Sequence, residues 1–245
     1  MNRPFIFCHM LTSADGRIHG SYMHTPELKD AEDVFYDLAF GRHAFYRPNA
    51  WICGRVTTED MFTWGRSLRL DEGAAAVPEG DFIIPHPFAD FYYVALDSRG
   101  VIAWDKDSVR IRGKEVPVIE VLTERASNAY KAFLRKLGIS YLICGKDKVS
   151  YTMLLEKLSD HFDIDSIMLG GGGVLNWSFI QRGLCDEVSL VMAPVADGNQ
   201  HAASVFETND RFSSPQAVGF QLLNAEVRKG GTAWLRYSVN NRMTD

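Results

Sequence analysis

Apolar residues follow two alternating rhythms along this chain. Short runs rich in strand formers, at residues 5–11, 50–53, 91–96, 118–122, 141–144, 164–169 and 188–192, predict buried strands. Between them, apolar positions recur at helical spacing. Leu28, Ala31, Val34, Phe35, Leu38 and Ala39 form one apolar face, preceded by Thr25-Pro26-Glu27, which reads as an N-cap, a first-turn proline and a first-turn acid. Ala126, Ala129, Phe133, Leu134 and Leu137 form another, closed by Gly138. Residues 151–158 and 174–181 read as helices, and 58–62 as a brief one. Residues 63–90, rich in Gly, Ala and Pro, predict irregular chain. After residue 192 the rhythm changes: 217–223 and 232–239 are strand-like, with Lys229-Gly230-Gly231 as a hairpin signal between them. The pattern predicts an α/β fold, a mostly parallel sheet with an antiparallel C-terminal hairpin. No repeat or linker divides the chain, so residues 1–245 read as one domain.

The 245 residues, 46% hydrophobic, suffice for a core without metals or disulfides. Lys and Arg number 26 against 31 Asp and Glu, a net charge of −5 with no basic run, which argues against a nucleic-acid binder. A local basic pocket for a phosphorylated ligand stays open. No stretch approaches the roughly 18 apolar residues of a membrane span. His9 inside the first apolar run, with Asp15-Gly16-Arg17 after it, speaks for a strand rather than a signal peptide. Cys8, Cys53, Cys144 and Cys185 are far apart and form no C-x-x-C. They read as buried thiols of a cytosolic protein, without disulfide or zinc. His9 reads as a core histidine. His19 and His24 have no partner at metal-ligand spacing, and no metal site is expected.

Three strand runs end in glycine: Ile52-Cys53-Gly54-Arg55, Ile143-Cys144-Gly145-Lys146 and Leu169-Gly170-Gly171-Gly172-Gly173. In a parallel sheet the C-terminal strand ends share an edge where ligands bind. The four-glycine run lets backbone approach a phosphate, and the helix from Val174 would point free N–H groups at it. The other reading is a tight strand-to-helix turn. Arg55, Thr57 and Thr58 after Gly54 suit a phosphate monoester, or are a capping threonine beside a surface arginine. Ser98 and Arg99 could join that site or form an ordinary turn.

These residues fall into a familiar order. Ser13-Ala14-Asp15-Gly16-Arg17-Ile18 resembles S-x-D-G-[KR]-I, and Asn49-Ala50-Trp51-Ile52-Cys53-Gly54-Arg55-Val56-Thr57 resembles D-A-x-x-x-G-x-x-T. The segment from Gly170 to Asn176 with Gly183-Leu184-Cys185-Asp186-Glu187-Val188 resembles E-G-G-x-x-L-N followed by G-L-V-D-E-[LV]. Ala193-Pro194 and Asp197-Gly198 fit a following A-P-x-x-x-G. Over residues 4–240 the chain resembles the dihydrofolate-reductase-like superfamily and, within it, the RibD C-terminal domain family, the pyrimidine reductases of riboflavin biosynthesis. Gly170 stands where those reductases carry Glu, and Asn49 where they carry Asp. No H-x-E with P-C-x-x-C occurs, so a fused zinc deaminase domain is not expected.

The resemblance implies a three-layer α/β/α fold, NADPH as cofactor, a homodimer and a small pyrimidine or pteridine-like substrate. Gly54, Arg55, Thr57, Thr58 and Ser98 would take the adenosine 2′-phosphate side. Gly171, Gly172 and Gly173, with Val174 and Leu175 of the following helix, would take the pyrophosphate. Ser13, Asp15, Gly170 and Asn176 would face the substrate, with Asp15 the candidate catalytic residue, orienting the substrate or relaying a proton. Asp15 could also be only a turn former. Glu27, Asp30 and Asp33 on the first helix, and Arg42, Arg47 and Arg66, read as solvated charges or substrate contacts. Residues 63–80 read as a lid or a mobile loop. A dihydrofolate reductase, another small-molecule reductase and a non-catalytic nucleotide-binding protein remain alternative readings.

Overall fold

The structure is a computed structural model that describes residues 3–240. Ten strands run in chain order as β1 Phe5–Thr12, β2 Ala50–Gly54, β3 Tyr92–Leu96, β4 Ser108–Ile111, β5 Lys114–Leu122, β6 Ser140–Ile143, β7 Ser166–Leu169, β8 Glu187–Met192, β9 Phe220–Val227 and β10 Ala233–Val239. The helices are α1 Leu28–Phe40, α2 Arg55–Thr58, α3 Asn128–Leu137, α4 Tyr151–Phe162 and α5 Gly173–Gln181. The chain gathers into two compact units: Met1–Pro4 with Asn49–Ile167, and Phe5–Pro48 with Met168–Asp245.

In the first unit, β2 pairs with β3, β3 with β5 and β5 with β6, all parallel. These strands are continuous apolar runs. Tyr93, Val94, Ile119, Leu122 and Leu142 are fully buried, as parallel strands covered on both faces require. Helix α3 begins at Ser127, whose hydroxyl accepts from Tyr130 N (3.1 Å), and ends at Gly138 in the left-handed conformation. Asn49 ties the start of β2 to residues 163–166. Its Oδ1 accepts from Asp165 N (3.2 Å) and Ser166 N (3.0 Å), and its Nδ2 donates to the Asp163 carbonyl (3.2 Å) and Asp165 Oδ1 (3.1 Å).

In the second unit, β1 lies parallel to β8, and β10 runs antiparallel to both β8 and β9. One face of this sheet carries His9, Ser189 and Arg236. His9 stacks on Phe35 of α1 (4.4 Å, 6°) and is spent in the core. Its Nε2 donates to the Phe35 carbonyl (2.9 Å), so Nδ1 accepts from Ser189 Oγ (2.8 Å), which in turn accepts from Trp234 Nε1 (2.9 Å). Burial pushes its pKa down to about 4. Beside it, Glu187 takes a two-point contact from Arg236 (2.8 Å each) and a hydrogen bond from Tyr46.

Four expectations need correcting. Helix α1 opens at Leu28 without a side-chain cap, because the Thr25 hydroxyl turns back to the Tyr22 carbonyl (2.9 Å). The brief helix after β2 starts at Arg55, directly on the strand-end Gly54, and continues as a wider turn over Glu59–Thr63. The β4–β5 hairpin escaped the pattern because Ser108–Ile111 alternates polar and buried over only four residues. Its turn places Arg112 (φ 48°) and Gly113 (φ 83°) in the left-handed region that matches strand twist. Strand β9 lies three to four residues later than predicted; its register on β10, not its own polar Asn224 and Glu226, sets its limits.

Candidate functional site

In the first unit, the parallel register pairs Gly54 with Leu96, which brings two strand ends side by side. Arg55 follows one and the turn Asp97-Ser98-Arg99-Gly100 follows the other. Arg55 Nη1 bonds Glu59 Oε2 (2.6 Å) yet keeps 37% of its side chain exposed. The pair is one helical turn apart, so the carboxylate steadies the guanidinium without burying it. Thr57 is half-buried. Thr58, grouped with it above, is different. It is fully buried, and its hydroxyl bonds the Gly54 carbonyl (3.0 Å) and the Tyr93 hydroxyl (2.9 Å). Thr58 holds the start of α2 on the strand and has no hydroxyl to spare for a ligand. Ser98 is held through its backbone: its carbonyl accepts from Thr123 Oγ1 (2.6 Å) and Thr123 N (3.2 Å). Buried Asp97 closes the turn, accepting from Val101 N (2.5 Å) and Ile102 N (2.9 Å).

In the second unit, the loop after β1 is braced by a strap formed by residues 195–207. Asp15 accepts from Ser13 Oγ (2.5 Å), Asp197 N (2.9 Å) and Gly198 N (2.9 Å). The Ser13 hydroxyl first, then the two backbone N–H groups, hold the Asp15 carboxyl well below the usual carboxylate range. Through these bonds the carboxylate braces the loop against the backbone of Asp197 and Gly198. Ser13 Oγ also accepts from Arg17 N (2.9 Å), and Arg17 donates to the Ala202 carbonyl (2.9 Å). Asp197 turns the other way, accepting from Tyr22 N and Ser21 Oγ (3.0 Å each). These contacts with Tyr22 and Ser21 hold its carboxyl down as well.

The same strap packs on the glycine run. Among those four glycines only Gly172 takes a positive φ, 68°, as the N-cap of α5. A Cβ on Gly173 would run into the Ser204 carbonyl, and Glu207 N donates back to the Gly173 carbonyl (3.1 Å). Close approach of the strap therefore accounts for Gly173 without a ligand. No side chain caps α5, so no side-chain acceptor takes the first-turn N–H groups of Gly173, Val174 and Leu175, although Gly173 and Leu175 are buried. Asn176 is fully buried; its Nδ2 donates to the Val205 carbonyl (3.1 Å) while its Oδ1 has no partner.

Comparison with known proteins settles the kinship. A family model described as the RibD C-terminal domain matches residues 94–233, more than half of the chain. The chain belongs to the RibD C-terminal domain family. Among curated proteins it is 31% identical over 99 residues to an Aquifex aeolicus protein named 2,5-diamino-6-ribosylamino-4(3H)-pyrimidinone 5′-phosphate reductase, covering 40% of this chain and 44% of that one. It is 33% identical over 113 residues to the protein of that name from Methanothermobacter thermautotrophicus, covering 46% and 51%. The matches thus span about half the length of these relatives. Among solved structures, a pyrimidine reductase-like protein from Corynebacterium diphtheriae superposes with a TM-score of 0.65 at 16% identity, covering 97% of this chain and 92% of that one. The riboflavin biosynthesis reductase of Saccharomyces cerevisiae does so at 0.59 and 17%, covering 98% and 91%. These likenesses show the fold: an α/β, mostly parallel sheet with antiparallel C-terminal strands.

Against this family the two departures have different weights. Asn49 needs both its donor and its acceptor, and an Asp there would set a second carboxylate beside Asp165. Gly170, at the end of β7, is half-buried and does not share the positive φ of Gly172. The motifs did not reveal the strap. Of its anchors only Asp197-Gly198 carried a signal, through the A-P-x-x-x-G resemblance; Ser204, Val205 and Glu207 lie in no pattern.

Proposed function

We propose that this protein is an NADPH-dependent reductase of a phosphoribosylamino-pyrimidine, of the kind used in riboflavin biosynthesis. The observation that carries the reading is family membership together with two relatives named as reductases of such a compound. In the first unit, Gly54, Arg55, Thr57 and Ser98 bind the phosphate on the adenosine ribose. Arg55 supplies a charged fork there and the two hydroxyls complete the shell. In the second unit, backbone N–H groups of Gly171, Gly172, Gly173, Val174 and Leu175 bind pyrophosphate. Each unit by itself carries a feature that suits one part of such a nucleotide: in the first, Arg55 is oriented by Glu59 and partly exposed; in the second, α5 starts without a side-chain cap.

A bound nicotinamide would supply a hydride to the ribosyl C1′ as its bond to the ring oxygen opens, and a proton from solvent on that oxygen completes the ribityl group. The chain's own part is orientation. Asp15 holds the Ser13–Gly16 loop in one conformation against which substrate is placed, while buried Asn176 anchors the strap through the Val205 carbonyl. Gly170 completes the proposed substrate contacts; Ser13, buried and with its hydroxyl engaged by Asp15 and Arg17 N, holds the loop instead. The functional unit is a homodimer.

Titration with NADPH and NADH, followed by nicotinamide fluorescence, tests the reading. NADPH is expected to bind at least tenfold more tightly, and Arg55→Ala to remove most of that preference by weakening NADPH alone, the loss of roughly one charge-assisted hydrogen bond. Equal affinity for the two nucleotides, or none for either, would end the cofactor assignment.

A further inference from the structure

Within the first unit, a buried carboxyl group on β5 has no place in the proposed chemistry. Glu120 is fully buried, two residues before the C-terminal end of the strand. Trp104 Nε1 donates to its Oε2, and the Tyr130 hydroxyl lies 2.7 Å from its Oε1. The same hydroxyl lies 3.0 Å from the Ile102 carbonyl. A phenol has one proton, and here it stands between two acceptors. If Tyr130 donates to Ile102, the contact with Glu120 needs a proton from the carboxyl. A neutral Glu120 supplies it, completing a chain from Glu120 through Tyr130 to the Ile102 carbonyl.

The electrostatics agree. Burial, and after it the Asp97 carboxylate within hydrogen-bonding reach, raise the Glu120 pKa well above the usual range. Asp97 and Tyr130 are the titratable groups around it, one from the end of β3 and one from α3. The groups that set its charge are the Asp97 carboxyl, the Tyr130 phenol and the Trp104 indole, none of them a cation, so ionisation would leave two buried carboxylates together.

What this cluster holds is the turn after β3. Asp97 accepts the Val101 and Ile102 N–H groups, Tyr130 bonds the Ile102 carbonyl, and Gly100 (φ 73°) lies so close on the Tyr130 ring that a Cβ would collide with it. Both ends of the 97–102 turn are thus fastened to groups that Glu120 touches. Ser98 sits at its tip.

We propose that Glu120, as a neutral carboxylic acid, is a positioning residue that acts through Tyr130 and Asp97 to fix the turn presenting Ser98 to the phosphate of the nucleotide. The proposal rests on the cofactor reading above for its functional consequence, and on the turn alone for its structural one.

Three variants separate the two. Glu120→Gln keeps a neutral donor and acceptor, Glu120→Ala removes both, and Tyr130→Phe breaks the relay with little change in volume. Infrared spectra of the native protein at neutral pH should show the C=O stretch of a buried, neutral carboxylic acid that Glu120→Gln lacks. Hydrogen exchange at the Val101 and Ile102 amides should speed up in Tyr130→Phe and Glu120→Ala and stay slow in Glu120→Gln. The NADPH-over-NADH preference should fall about tenfold in the first two and recover in Glu120→Gln. An absent acid band, or unchanged exchange in a folded Tyr130→Phe, overturns the proposal while the cofactor reading stands. Faster exchange in Tyr130→Phe and Glu120→Ala, with no NADPH binding by the native protein, overturns the cofactor reading and, with it, the role assigned to Ser98.

Discussion

His9 donates to the Phe35 carbonyl and accepts from Ser189, so a second ring proton would lose its acceptor. Its pKa falls from 6.5 to about 4. Over that window the unfolded chain binds the proton and the folded one does not, so stability declines as pH drops from 6.5 toward 4 and is retained above 6.5. The difference in proton affinity is worth about 3 kcal/mol. Denaturant unfolding across this range should show that loss in the native protein and a flatter profile in His9→Gln. A profile unchanged by the substitution would mean that His9 is not the titrating group. At this scale the sequence was partly readable. His9 amid an apolar run pointed to the core, and Arg55 after a strand-end glycine pointed to an exposed guanidinium. Thr57 and Thr58 could not be told apart, because which neighbour faces the sheet depends on where α2 begins. The use of Asn49 was equally hidden, since its partners lie more than a hundred positions away.

Elements were more legible than their joints. Apolar period and capping residues located β1 to β3 and α3 to within a residue or two, because propensity and burial agree there. The start of α1 shifted because the Thr25 hydroxyl bonds back to the Tyr22 carbonyl instead of capping the helix, and α2 starts earlier, directly on the strand-end Gly54. The glycine run illustrates the same limit. Its chain freedom was plain from composition, but its cause divides: Gly172 needs a left-handed φ, and Gly173 needs room for Ser204. Gly173→Ala should therefore lower stability by about 1–3 kcal/mol through overpacking, and loosen the 204–207 part of the strap. Urea melts with hydrogen exchange at Glu207, whose N–H bonds the Gly173 carbonyl, would register both effects. An unaltered urea midpoint would show that the strap yields freely.

For the molecule in solution, the C-terminal strands bear on assembly. Pairing places Val188, Leu190 and Met192 of β8, Ala233, Leu235, Tyr237 and Val239 of β10, and Phe220, Leu222, Ala225 and Val227 of β9 on one face of the second unit's sheet. None of these is charged. Phe206 reaches Phe220 at one end (6.0 Å between rings), while Leu222 is 54% and Val227 83% exposed. Three strands of seven or so residues span roughly 14 Å by 25 Å, in the range of apolar patches that mark interfaces. Val188 and Val239 are already buried, and the exposed remainder of the face meets no like-charge repulsion from a second copy across a two-fold axis. Sedimentation should find a dimer that Leu222→Glu converts to a monomer at ordinary concentrations. A native protein that sediments as a monomer would remove this face from the account.

The central claim is tested most directly by substrate-dependent consumption of NADPH. The purified protein would be mixed with NADPH and a ribosylamino-pyrimidine 5′-phosphate, in both the diaminopyrimidinone and the aminouracil form, and the fall in reduced nicotinamide followed. The account predicts oxidation of NADPH that requires the pyrimidine, yields the ribityl product and is much slower with NADH. NADPH that binds but is never consumed with either pyrimidine would contradict it, and would leave a nucleotide-binding member of the family whose substrate is something else.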